Sequence, residues 1–158
     1  MEPSWTRRED PQGRFVLTLP QDWASGDAIV GAKSTSAGAA FVAVDAEGET
    51  LFEVYCLQHN DLQFYAQVLA SEAKRLHHGA EAGKPEPLLL ETRTACLRLR
   101  LAYRERTFRG TDEPFTTDYY LLDGRVRVVS LHFKTLTARH GELASVFETI
   151  ARGVELSA

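Results

Sequence analysis

Residues 13–23 read GRFVLTLPQDW. Phe15, Leu17 and Leu19 alternate with Val16 and Thr18, a period of two that predicts a half-buried strand. Pro20 ends it, because proline has no N–H to give to a ladder. Three residues further on stands Trp23. A strand, a stop and a large aromatic so close together pose the question of which core the tryptophan closes.

Upstream, residues 1–13 are charged and carry Pro3 and Pro11. They predict a flexible arm, with Trp5 packing back, ahead of a single domain over 14–158. Downstream, 28–33 (AIVGAK) reads as a short strand or coil. Phe41 to Asp45 and Thr50 to Leu57 flank Glu47-Gly48 as a hairpin. In NDLQFYAQVLASEAKRLHHG (60–79), Leu62, Tyr65, Ala66, Leu69, Ala73 and Leu76 recur at helical spacing. Asn60 or Asp61 caps the start, Lys74 and Arg75 suit the carbonyl end, and Gly79 supplies the stop.

Three β segments follow: Leu88 to Thr92, ACLRLRLAYRER (95–106), and a hairpin FTTDYYLLDGRVRVVSLHF (115–133) hinged on Asp123-Gly124. A two-residue turn there would pair Leu122 with Arg125 and Tyr120 with Arg127, leaving neither face wholly wet. Leu143, Val146, Phe147, Ile150 and Val154 then predict a closing helix. Hairpins in place of βαβ crossovers argue for an α+β domain, a mainly antiparallel sheet flanked by helices.

The ordered set resembles the Mog/PsbP-like fold family, which includes Ran-binding Mog proteins, the PsbP subunit of photosystem II, and bacterial lipoproteins and DcrB-like proteins. Leu19-Pro20 with Asp22-Trp23 is similar to the family's entry, and NDLQFYAQVLASEAKRL to its central helix. YYLLDGRVRVVSLHF is similar to its final hairpin, and ELASVFETIARGVEL (142–156) to its terminal helix and tail. The likeness spans residues 14–156 and implies an α/β/α sandwich in which Trp23 lies over the core at the end of the strand. It implies a non-enzymatic protein-binding or adaptor role. Bacterial relatives that serve as chaperones of type VI secretion effectors supply an alternative, and a small hydrolase with an unrecognised site is another.

The chain has 158 residues and a net charge of −4, which speaks against nucleic acid as a partner. The charge is uneven: residues 1–92 carry −7 and residues 93–134 carry +4. No apolar run approaches the roughly 20 residues of a membrane span, and no leader is visible, so a cytoplasmic protein is expected, monomer or homodimer. Cys56 and Cys96 are too few for a disulfide framework or a zinc site, and buried unreactive thiols are expected, with Cys56 the candidate nucleophile of the hydrolase reading. His77 and His78 suit a helix end, and no metal, cofactor or catalytic set is expected.

The basic stretch holds Arg93, Arg98, Arg100, Arg104, Arg106 and Arg109, followed by Arg125 and Arg127 beside Tyr120. Arg98, Arg100, Tyr120, Arg125 and Arg127 are therefore the candidate surface for a protein partner with acidic groups. The competing reading is a solvated face whose arginines already hold cross-strand carboxylates such as Asp118.

Overall fold

The computed structural model describes residues 4–25, 38–107 and 110–157. The expected segment 28–33 and Arg109 lie outside the described residues. The opening motif forms β2 (Phe15–Pro20), preceded by β1 (Trp5–Glu9) and followed by β3 (Ala24–Ser25). Then come β4 (Phe41–Val44), β5 (Leu51–Gln58), α1 (Leu62–Leu76), β6 (Glu81–Ala82), β7 (Glu86–Leu89) and β8 (Ala95–Arg106). The chain ends with β9 (Asp112–Asp123), β10 (Arg127–Leu136), α2 (Thr137–Arg152) and β11 (Glu155–Leu156). One sheet has the order β3-β4-β5-β10-β9-β8-β6 with β7 also on β8; the smaller one is β1-β2-β11. Every described pairing is antiparallel.

Alternation along the strands sorts the apolar residues into two cores. On one face Phe52, Leu131, Phe133, Tyr120 and Leu122 meet α2 through Phe147 and Ile150, and the small sheet through Phe15, Leu17 and Leu19. Trp23 closes this core, 5% exposed and edge-on to Phe52 at 6.2 Å, which answers the opening question. On the other face Leu97, Leu99, Leu101 and Leu121 receive Ala66 and Ala73 of α1. Helices thus lie on both faces of the large sheet. Neither is long and apolar enough to cross a membrane.

Three expectations need correction. Within the segment read as an arm, residues 5–9 are a strand, registered Thr6 to Leu19 and Arg8 to Leu17. Its polar sequence hid it, because backbone bonds to β2 and a turn anchored on buried Asp10 hold it in place of an apolar face. In that turn the Asp10 carboxylate accepts from the Arg14 backbone N–H at 3.0 Å and from its guanidinium at 2.6 and 3.2 Å.

The strand placed at Leu88 to Thr92 lies instead at Glu86–Leu89. Leu90 to Arg93 form its turn, with Arg93 at φ 63°.

The Asp123-Gly124 hairpin is real but its register is four residues away from the two-residue prediction. Tyr120 pairs with Leu131 and Leu122 with Val129. Slipping by an even number keeps each side chain on its face, so the apolar rows align and no guanidinium is forced opposite a core residue. Glycine is required at 124 by a close approach: a Cβ there would stand 2.6 Å from the Arg127 carbonyl oxygen.

Candidate functional site

The five residues singled out from sequence do not form one surface. Tyr120 is fully buried, edge-on to Phe133 at 5.8 Å, and burial pushes its hydroxyl up to about 12. Arg98 lies beside that hydroxyl, which makes no hydrogen bond of normal geometry; the guanidinium is instead taken by Glu86 of β7 and approached by Glu148 of α2 at 3.6 Å. Arg100 grips buried Asp118 at 2.7 and 3.2 Å, and His140 meets the same carboxylate at 2.9 Å. Arg125 is exposed in the hairpin turn, and Arg127 stands opposite Gln58 of β5. The register slip carried the two turn arginines away from Tyr120. With Arg98 and Arg100 already held by carboxylates, the case for an acidic partner on this face falls.

The cysteines are also separated. Cys56 pairs with Val129, Val129 with Leu122 and Leu122 with Cys96, so two strands stand between the thiols. Both are free. Burial pushes the Cys56 thiol up, and that of Cys96 up to about 12, which is opposite to the activation a nucleophile needs. His77 stacks on Tyr103 at 4.1 Å, and His59 pairs with Asp123 at 3.2 Å. Among the described residues no three metal-ligating side chains cluster.

Among the described residues, the part of the large sheet that no helix covers is on the α1 side. A helix is about 10 Å across and strands lie about 4.8 Å apart, so one helix covers about two strands. α1 sits over β8 and β9. Among the described residues, the apolar cluster beneath it takes in no side chain of β4, β5 or β10. That half of the face carries Val42, Val44, Leu51, Tyr55 and Leu57, all partly exposed.

Polar groups run through its middle in one registered row, Val42–Glu53–His132–Tyr119–Leu99. The His132 ring packs between Tyr55, at 4.7 Å, and Tyr119, at 4.5 Å and nearly perpendicular. Its Nε2 lies 2.6 Å from the Ser130 hydroxyl, and burial lowers its pKa to about 3, so the imidazole is neutral. The Tyr55 hydroxyl donates to Glu53 Oε2 at 3.1 Å. Burial raises the Tyr119 hydroxyl above the ordinary tyrosine range, helped by Tyr103, Glu53 and Tyr55 nearby. Ser130 is fully buried, so the Ser130–His132 contact fixes the ring and does not present a nucleophile. This arrangement suits recognition.

Sequence reasoning missed these residues because the arginines drew the attention. A usable signal existed: Glu53 interrupts the otherwise apolar series Leu51, Tyr55, Leu57 on one side of β5.

No protein-family model matches the chain, and no curated protein matches it in sequence. Solved structures do. The solution structure of cyanobacterial PsbP from Synechocystis sp. PCC 6803 is similar with a TM-score of 0.65 at 16% identity, over 99% of this chain and 95% of that one. The Ran-binding protein Mog1p of Saccharomyces cerevisiae gives 0.65 at 12%, over 98% and 96%. LpqN of Mycobacterium tuberculosis, involved in cell envelope biogenesis, gives 0.60 at 13%, over 100% and 93%. The two helices and antiparallel sheets among the described residues agree with these likenesses: the chain has the Mog/PsbP-like fold.

Proposed function

We propose that this protein is a non-enzymatic protein-binding domain whose docking surface is the open half of the sheet on the α1 side. The observation that carries this reading is the partly exposed apolar set Val42, Val44, Leu51 and Leu57 around Glu53, Tyr55 and Tyr119, left uncovered by α1. Partly exposed apolar surface rimmed by polar groups is the usual mark of an interaction site. Mog1p, a Ran-binding protein, shares the fold and offers an analogy at that level alone.

A photo-crosslinking residue at Leu57 or Val44, with one at exposed Ala138 on α2 as control, tests the proposal in extract of the protein's own host. Crosslinks to a polypeptide from Leu57 and Val44 but not from Ala138 are the expected result. Equal crosslinking from all three positions, or none from the sheet, removes it.

The same apolar rows favour a second reading, a chaperone that shields an apolar segment of a secreted type VI effector. A chaperone's client, encoded beside it, should precipitate when expressed alone and stay in solution when the two are expressed together. A neighbouring client indifferent to its presence counts against this reading.

A further inference from the structure

The face of α1 turned away from the sheet is not wholly polar. Ala66 and Ala73 are the buried residues of the helix. At about 100° per residue, Phe64, Val68, Ser71 and Arg75 fall within an arc of about 60° on the opposite side. Phe64 is 48% exposed and Val68 41%. With Gln67, Ser71 and Glu72 they line a shallow depression of about 340 Å³ on the helix surface. Single exposed apolar residues are ordinary, but two set one turn apart, opposite the buried stripe, call for a cover. The Phe64 ring is set by a T-shaped contact with Tyr65 at 5.4 Å. The Arg75 guanidinium is held by Glu72 at 2.7 Å and its side chain stays 66% exposed. Charge is divided along the helix as well: Asp61 caps its start, and Lys74 and Arg75 stand in its last turn.

We propose that the outer face of α1 is a homodimer seam, packed antiparallel on α1 of a second copy about a twofold axis that passes between Val68 and Ser71. The stripe is complementary to its own reverse. In this register Val68 meets Ser71 of the second copy, Phe64 meets Arg75, and Gln67 meets Glu72. Phe64, Val68, Ser71 and Arg75 follow one another at steps of four, three and four residues, the spacing of a helix-pair seam. Small Ser71 lets the two helices approach, and the guanidinium lies over the Phe64 ring. Each acidic helix start stands by the basic last turn of the other copy, with the two helix dipoles opposed. A parallel pair would set Arg75 against Arg75 and align the dipoles. The helix has 15 residues. At about 22 Å its seam is smaller than a standard interface, so a weak dimer is expected, with a Kd of about 10 µM to 1 mM. The seam is on the side of α1 away from the sheet, so this inference stands apart from the docking reading above.

Sedimentation equilibrium of the whole protein up to about 1 mM tests for the dimer. A monomer–dimer equilibrium is expected. Val68→Glu sets a carboxylate beside Glu72 of the second copy and should weaken association at least about tenfold. Val68 is exposed, so an unchanged Tm verifies that the variant is folded. Ala138→Glu, at an exposed position of α2, adds the same charge elsewhere and should leave the equilibrium as it was. The register is read by oxidising an equal mixture of Val68→Cys and Ser71→Cys proteins. The mixed disulfide dimer should exceed both self-paired dimers. The wild type should give none, since Cys56 is half-buried and Cys96 buried. A monomer at about 1 mM overturns the proposal. So does a dimer that is indifferent to Val68→Glu or is weakened equally by Ala138→Glu. Disulfides that form chiefly within one variant, or not at all, overturn it as well.

Discussion

Asp10 shows how a single side chain can hold an element that its own sequence does not advertise. Its buried carboxylate joins the Arg14 backbone to the Arg14 guanidinium and so closes the β1–β2 turn. The Arg14 hydrogen bond holds the Asp10 pKa below the usual carboxylate range. Asp10→Ala leaves the Arg14 guanidinium partly buried without its partner. A loss of about 1–3 kcal/mol is expected in urea unfolding, reduced from the full buried-pair cost because Arg14 retains some solvent. If the variant unfolds at the wild-type midpoint, the turn is held by backbone alone. His132 acts in the opposite sense, since its site rejects charge. Burial lowers its pKa to about 3, below the ordinary value, so the unfolded chain binds the proton more readily. Its contribution is present above about pH 6.5 and is lost as pH falls toward 3, with a slope of at most about 1.4 kcal/mol per pH unit. His132→Gln should flatten that part of the stability–pH curve, and an unchanged slope would show that the imidazole is not excluded from charging.

At the scale of elements, β8 and the β9–β10 hairpin decide what the arginines do. Arg98 sits between carboxylates of β7 and α2, whereas Arg127 lies at the start of β10 with no ion pair among the described residues. Arg98→Glu places a third carboxylate beside Glu86 and Glu148, and a loss of about 1–3 kcal/mol is expected. Arg127→Glu should stay within about 0.5 kcal/mol. The double variant should equal the sum, since the two side chains share no partner; thermal or urea unfolding of all three variants checks this. Gly124 governs the same hairpin. Gly124→Ala sets a Cβ against the Arg127 carbonyl, so the turn must reopen, and a loss of about 1–3 kcal/mol is expected by calorimetry. A neutral Gly124→Ala would mean that the turn relaxes at no cost and that apolar pairing alone sets the register.

For the whole molecule, two cores share one sheet but are not equally protected. The core beneath α2 is closed by the small sheet and Trp23, while among the described residues α1 packs on β8 and β9. Amide exchange should therefore be slowest in β9 and β10, which have neighbours on both edges, and fastest in β1, which pairs on one edge only. Uniform protection would contradict this ranking. Acid acts on both sides of the sheet. Asp10 and Asp45 have depressed pKa values, the latter because Arg139 and nearby backbone N–H groups outweigh burial, and His132 is depressed as well. All three contributions are lost in the same direction, so stability should decline as pH falls below about 6.5 and steepen where the carboxylates protonate.

Local chemistry was enough to read the strand through Phe15–Leu19, the role of Trp23, the helix after Asp61, the closing helix and the antiparallel class. Each is written in short-range periodicity, caps and stops, which act within a turn or a strand. Their ordered combination also carried the likeness to the Mog/PsbP-like fold. The strand at Trp5–Glu9, the four-residue slip of the last hairpin and the burial of Tyr120 were not legible there, because each depends on which distant edge or row a residue meets. The arginines looked like a surface since alternation reports a face but not its occupants; Glu86, Asp118 and Glu148 reach them from three other elements. Glu53, Tyr55, Tyr119 and His132 came together only when register brought β5, β10 and β9 side by side, beyond the strands that α1 covers.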